Sequence, residues 1–191
     1  MSQSTSSPFK IDTRMLGRQA GAMRRDTRTL PALSGLEVGL THIPEDAELS
    51  LEYRLESVLD GVLVTGTVEA PMVGECARCL EPVSETITGS FQELFRYPAD
   101  EFGVGDEAEH DVGADDDSDY HLEGDWIDLE PVIRDALVPA LPDSPLCRDD
   151  CPGLCVECGV RLADAGPDHS HEEAVDPRWA ALKGLDSSKK E

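Results

Sequence analysis

The sequence predicts an α+β protein, an antiparallel β-meander sheet packed by one or two helices and followed by a C-terminal cysteine-rich segment. Three observations carry this expectation. Apolar and polar residues alternate through the stretch from Leu36 to Tyr97, the period of half-buried strands. Leu129, Val132, Ile133, Ala136, Leu137 and Ala140 recur at helical spacing instead. All six cysteines fall in two places, Cys76-Ala-Arg-Cys79 and the run from Cys147 to Cys158.

Taken in order, residues 1–8 are rich in Ser and Thr and are expected to be disordered, and a single domain is expected over 9–185. Phe9-Lys-Ile-Asp12 has a short strand pattern, but Thr13 to Arg28 has no firm helical period, so 9–35 reads as an extended or partly helical basic arm. The sheet occupies 36–97. Leu49, Leu51, Tyr53 and Leu55 share one face, and Asp60-Gly61 between two apolar runs predicts a hairpin of the type I′ kind, which needs positive φ at both central residues. The returning strand runs from Val62 to Val68, with a break expected at Pro71. Alternation resumes from Val83 to Tyr97, with Gly89 a candidate bulge.

Residues 98–124 offer almost no apolar surface to offset the entropy of ordering, so they read as a flexible acidic loop. Its aspartates lack the Gly and Glu spacing of an EF-hand, which argues against a calcium site. A helix is expected within 125–141, with Asp128 as N-cap, Pro131 in the first turn, and Pro139 and Pro142 ending it. The cysteine cluster spans 145–165. Asp176 to Leu185 has enough apolar residues for one or two turns, and 186–191 is expected to fray.

Charge narrows the function classes. A formal net charge of −24 excludes a generic nucleic-acid binder, since such proteins take most of their affinity from neutralising phosphates. The charge is uneven, however. The first 30 residues hold six cations against two acids, whereas 99–130 holds fourteen Asp or Glu and no Lys or Arg. Different partners are expected for the two regions. With no apolar run long enough to span a membrane and no apolar core to the N-terminus, a cytoplasmic protein is expected, with no membrane partner and no small-molecule substrate.

In a reducing compartment, closely spaced thiols point to metal binding more than to disulfides. Structural zinc takes four ligands in a tetrahedron, and a CxxC turn supplies two of them. One assignment is local: Cys147, Cys151, Cys155 and Cys158 close a zinc-type site within a dozen residues, bent at Pro152-Gly153, with Cys76 and Cys79 as a second candidate pair. The other joins the two CxxC turns, Cys76/Cys79 with Cys155/Cys158. His169 and His171 are further candidates, to complete a site with Cys76/Cys79. Iron-sulfur ligation competes with zinc on spacing alone. A thioredoxin-like dithiol enzyme fits less well, because Leu80-Glu-Pro82 breaks any helix opened at Cys79. The chain contains none of the P-loop, GxGxxG, GxSxG or HExxH motifs.

Six blocks in fixed order carry a resemblance: Ile11-Asp-Thr-Arg14 with Leu16-Gly-Arg18, Gly74-Glu-Cys76-Ala-Arg-Cys79-Leu80, Gln92-Glu-Leu-Phe95, Ile127-Asp-Leu-Glu-Pro131, Cys147 to Gly159, and Asp176-Pro-Arg-Trp-Ala-Ala-Leu182. Together they resemble the bacterial YceD family, its actinobacterial branch most. The resemblance implies a cytoplasmic, non-enzymatic factor needed for large-subunit ribosomal RNA to accumulate, in a family whose genes lie beside that of a small basic ribosomal protein. It carries over no catalytic residues.

Two functional expectations follow. In one, Arg14, Arg18, Arg24, Arg25 and Arg28 touch ribosomal RNA while a metal cluster secures the fold. In the other, the chain is an acidic binding module that holds a basic ribosomal protein or assembly intermediate.

Overall fold

The computed structural model describes residues 7–98, 120–166, 168–171 and 178. The expected disordered N-terminus, most of the acidic loop, the apolar turns after Asp176 and the tail lie outside the described residues. Eight strands appear in order: β1 Lys10–Asp12, β2 Met23–Pro31, β3 Glu37–Val38, β4 Thr41–His42, β5 Glu48–Val58, β6 Gly61–Glu75, β7 Pro82–Arg96 and β8 Trp126–Asp128. They are followed by helix α1, Glu130–Leu137, and one 3₁₀ turn, Val138–Ala140. The described fold is therefore mostly antiparallel sheet with one short helix, more sheet-dominated than the expected α+β class.

Strand β6 organises the large sheet. On one side it pairs along its whole length with β7, from Gly61↔Arg96 to Glu75↔Pro82. On the other it pairs first with β5 and then, at Val73 and Gly74, with β4. Pro71 does not end the strand. It falls between the last residue paired to β5, Glu69, and the first paired to β4, Val73, where no ladder bond on that side needs its missing N–H. The stretch expected as an arm also joins the sheet, because β2 pairs with β5 from Met23↔Glu56 to Pro31↔Glu48. A separate two-stranded ribbon joins β1 to β8.

The β5–β6 hairpin forms, one residue earlier than its sequence signal. Val58 pairs with Gly61, leaving Leu59-Asp60 as the loop, and neither these residues nor Gly61 has positive φ, so the turn is not of the primed type. Gly61 serves space instead: a Cβ there would stand 2.0 Å from the Phe95 carbonyl oxygen. Gly89 likewise makes no bulge. It pairs in unbroken register with Val68, and a Cβ on it would lie 2.5 Å from the Ala136 carbonyl oxygen of α1, so it lets the helix approach the sheet.

Strict alternation sends Leu49, Leu51, Tyr53 and Leu55 of β5 and Val62, Val64, Val68, Ala70 and Met72 of β6 to one buried face. Helix α1 covers that face with Val132, Ile133 and Leu137. Each such aliphatic side chain contributes about 1.5–3 kcal/mol when taken fully out of water. Asp128 caps as expected in chemistry though not in position, its carboxylate accepting the Glu130 amide at 3.0 Å while Leu129 holds the N-cap place. The opposite sheet face stays polar. One row across four strands reads Arg25, Arg54, Thr65 and Gln92, set by the registers of β2, β5, β6 and β7.

The described ends of the acidic stretch are fixed to each other. The Arg96 amide donates to the Tyr120 carbonyl at 2.8 Å, the Leu122 amide donates to the Arg96 carbonyl at 2.9 Å, and the Phe95 and Tyr120 rings stand 5.2 Å apart.

Candidate metal centres

The link between β6 and β7 is built as a thiol-bearing turn. The Cys76 amide donates to the Glu81 carbonyl at 2.7 Å and the Leu80 amide to the Cys76 carbonyl at 2.9 Å, which bends Cys76-Ala-Arg-Cys79 so that both sulfurs face one side. Leu80 accepts a left-handed φ of 61° to complete it, the one positive φ outside glycine among the described residues. The segment after the 3₁₀ turn is then tied onto this turn. The Ala77 amide donates to the Pro145 carbonyl, the Leu154 amide to the Arg78 carbonyl, and the Arg78 guanidinium to the carbonyls of Asp149 and Cys151.

These bonds bring Cys147 and Cys151 over Cys76 and Cys79. Cys76 and Cys151 sulfurs lie 3.8 Å apart, those of Cys79 and Cys147 3.6 Å, and all four lie within 4.8 Å of one another. Metal–sulfur bonds of about 2.3 Å in a tetrahedron would separate sulfurs by about 3.8 Å, so the set has the dimensions of a four-cysteine zinc site. Cys76, Cys79 and Cys151 are buried, with Val83 beside them and Leu146 and Leu154 packed on the outside.

The thiols are electrostatically unequal. Cys76 is drawn well below the usual thiol range, first by the Cys147 amide and then by those of Arg78 and Cys79. Cys147 is pushed up, chiefly through its hydrogen bond with Cys151, and Cys79 is pushed up by burial. The backbone thus favours one thiolate, and a bound cation would favour four, because a coordinating thiol is deprotonated outright.

A second set lies further along. Cys155, Cys158, His169 and His171 also bring one ligand atom each to within 4.8 Å of all the others. Here the Cys155 amide donates to the Val160 carbonyl at 2.8 Å and the Gly159 amide to the Cys155 carbonyl at 2.8 Å. The Cys155 thiol is drawn down to about 6, first by its hydrogen bond to His169 and then by the Cys158 and Glu157 amides.

This arrangement corrects the local assignment. The thiols of Cys147, Cys151, Cys155 and Cys158 do not form one set, nor do Cys76/Cys79 join Cys155/Cys158, nor His169/His171 join Cys76/Cys79. Gly153 is the physical reason. It takes φ +79° with its α-carbon face against the Arg78 carbonyl, turning the chain between Cys151, which is buried, and Cys155, which belongs to the next turn. Spacing along the chain suggested a closed quartet, and a bend at Pro152-Gly153 divides it into two pairs. The sequence signal for the second set was the His169-Ser-His171 spacing soon after a CxxC.

The five arginines do not form one patch. Arg14 is paired with Asp12 and lies over the Trp126 ring, Arg18 lies over Tyr97, and Arg24 is paired with Asp26. Arg28 donates to the Lys10 carbonyl beside the Tyr53 ring, on the side of β2 that also carries Arg24. Arg25 stands on the opposite, polar face, directly across from Arg54.

Fold and site define a sheet-dominated protein whose C-terminal segment is gathered by Cys and His into two groups that could hold a metal ion. Residues 64–186 match the family described as large ribosomal RNA subunit accumulation protein YceD. The chain belongs to that family. It is 48% identical to an uncharacterised protein of Mycobacterium tuberculosis over 178 residues, covering 92% of this chain and 80% of the relative. A second uncharacterised relative, from Mycobacterium leprae, is 41% identical over 179 residues, covering 94% of this chain and 78% of its own. No solved structure matches the chain. No helix among the described residues is long and apolar enough to cross a membrane.

Proposed function

We propose that this chain is a non-enzymatic cytoplasmic factor that supports accumulation of large-subunit ribosomal RNA during ribosome biogenesis, with zinc at Cys76, Cys79, Cys147 and Cys151 fastening its C-terminal segment to the sheet. The observation that carries the ribosomal part is the family match over residues 64–186. The zinc part rests on the buried all-sulfur set, whose softness and tetrahedral spacing suit that ion. Ribosomal RNA is the leading partner. Arg25 supports it as a cation on the exposed polar face of the sheet, directly across from Arg54, which is itself paired with Glu56. The test removes Arg14, Arg18, Arg24, Arg25 and Arg28 together by change to Gln. RNA crosslinking should fall with large-subunit RNA levels in cells carrying the variant, and unchanged crosslinking would sink the RNA reading.

The net charge of −24 favours a second reading, in which the chain holds a basic ribosomal protein. In that case the arginine variant keeps its activity, and a basic protein copurifies with the chain at low salt and leaves at high salt.

A further inference from the structure

We propose that Cys155, Cys158, His169 and His171 form a second metal centre, specific for a borderline divalent cation such as Zn²⁺ and exchanging faster than the buried four-cysteine set. The proposal does not depend on the ribosomal reading.

Its first support is the backbone. The Cys155–Val160 turn repeats the Cys76–Glu81 turn bond for bond: the first cysteine's amide donates to the carbonyl five residues on, and the amide after the second cysteine donates back to the first cysteine's carbonyl. Both turns place a left-handed residue straight after the second cysteine, Leu80 at 61° and Gly159 at 73°. One turn lies within an all-thiol set, and its twin faces two imidazoles.

Ligand geometry is the second support. Cys158 Sγ stands 3.7 Å from His169 Nε2, and the Nε2 atoms of His169 and His171 are 3.1 Å apart. A tetrahedral site with bonds of about 2.3 Å to sulfur and about 2.0–2.1 Å to nitrogen requires roughly 3.6 Å between sulfur and nitrogen and roughly 3.3 Å between nitrogens. Two imidazole nitrogens converging on thiols bring lone pairs together, an arrangement that is stable only with a proton or a cation between them. Mixed nitrogen and sulfur ligation selects zinc-like ions over calcium or magnesium.

The third support is what else holds this segment. Val156 is 98% exposed, Val160 and Leu162 are more than a third exposed, and none of them belongs to either buried cluster. Little apolar burial is therefore available to keep His169 and His171 against the Cys155 turn, and ligation supplies the missing restraint. Cys158 is also exposed, whereas three of the four ligands in the first set are buried, so a chelator reaches the second set first.

The experiment measures zinc per chain on the full-length protein, with release followed after addition of a chromogenic chelator. The proposal expects two zinc ions per chain released in two phases. His169→Ala/His171→Ala should lose one ion and the fast phase. Cys76→Ser/Cys79→Ser should lose the slow phase instead. One ion per chain that survives the histidine double variant would overturn the second centre and leave the first standing. One ion that disappears with the histidines and survives Cys76→Ser/Cys79→Ser would overturn the first and leave the second. Two ions released in a single phase would overturn the claim of faster exchange. Should the histidine variant fold poorly, cobalt substitution of the wild type gives an independent reading: two sites must fill, one with the weaker sulfur-to-metal absorption of two thiolates, and saturation at a single spectrum of the four-thiolate type overturns the proposal.

Discussion

Leu80 and Gly159 hold the same place in two matching turns, each donating its amide to the carbonyl of the cysteine four residues before it, at 2.9 and 2.8 Å. Only one of the two is a glycine. Left-handed backbone costs a residue with a Cβ roughly 1–2 kcal/mol, and Leu80 is 56% exposed, so it recovers little of that by packing. We therefore expect Leu80→Gly to stabilise the protein by about 0.5–1 kcal/mol once the extra freedom of glycine in the unfolded chain is deducted. Gly159→Leu should destabilise its own turn by about 1–2 kcal/mol. Chemical denaturation of the metal-loaded protein reads both, and a destabilised Leu80→Gly would contradict the argument.

Gly89 tests how closely the helix rides on the sheet. An added methyl would meet the Ala136 carbonyl oxygen at 2.5 Å, and a backbone atom at the end of α1 cannot move aside as a flexible side chain would. Gly89→Ala is expected to cost roughly 1–3 kcal/mol by overpacking. Urea unfolding of this variant beside Gly124→Ala separates space from backbone strain, since Gly124 has positive φ and nothing within 4 Å of an added Cβ.

Metal should be coupled to stability through the Cys76, Cys79, Cys147 and Cys151 set. A site that binds only the folded chain, held at about 1,000 times its Kd, adds about 4.1 kcal/mol. For a chain of this length that is on the order of 10 °C in melting temperature. Thermal melts should drop by this order on chelation in the wild type, and Cys76→Ser/Cys79→Ser should already melt low before any chelator is added. A wild type insensitive to chelation would remove zinc from the account of the fold.

Alkaline pH offers a further check through Tyr120. Its phenol is raised to about 12, first by burial and then by the hydrogen bond it donates to Asp135. A raised folded value means the neutral form is favoured by folding, so this contribution is complete below pH 10 and is lost as pH climbs from about 10 to about 12. The loss should be absent in Tyr120→Phe, and tyrosinate absorbance should show one phenol titrating late. Asp12 gives the opposite sign at acid pH. The Arg14 guanidinium holds its carboxyl down at about 2, so that contribution is present above about pH 4 and lost as pH falls towards 2.

Much of the sheet was legible because burial is one-sided. Leu49, Leu51, Tyr53 and Leu55 alternate cleanly, and a slip of one residue would expose all four. Strand β2 was less legible, since its buried-side positions opposite Tyr53 and Leu51 are Asp26 and Arg28, charged residues at a sheet margin that erase the alternation. The turn signal at Asp60-Gly61 marked the hairpin but misattributed the glycine, which answers to the Phe95 carbonyl and not to its own φ. The thiols were legible as metal-type pairs and illegible as sets, because the partners of Cys76 are fixed by a hydrogen bond from Ala77 to Pro145, between positions far apart in the chain that spacing does not see.

The meeting of Arg96 with Tyr120 and Leu122 ties the end of β7 to the segment that leads into β8. Whatever leaves the sheet at Arg96 comes back to the same carbonyl and amide before β8 begins. Two amide bonds thus make one post of the end of β7 and the approach to β8, so the ribbon of β1 and β8 is moored to the large sheet at Arg96.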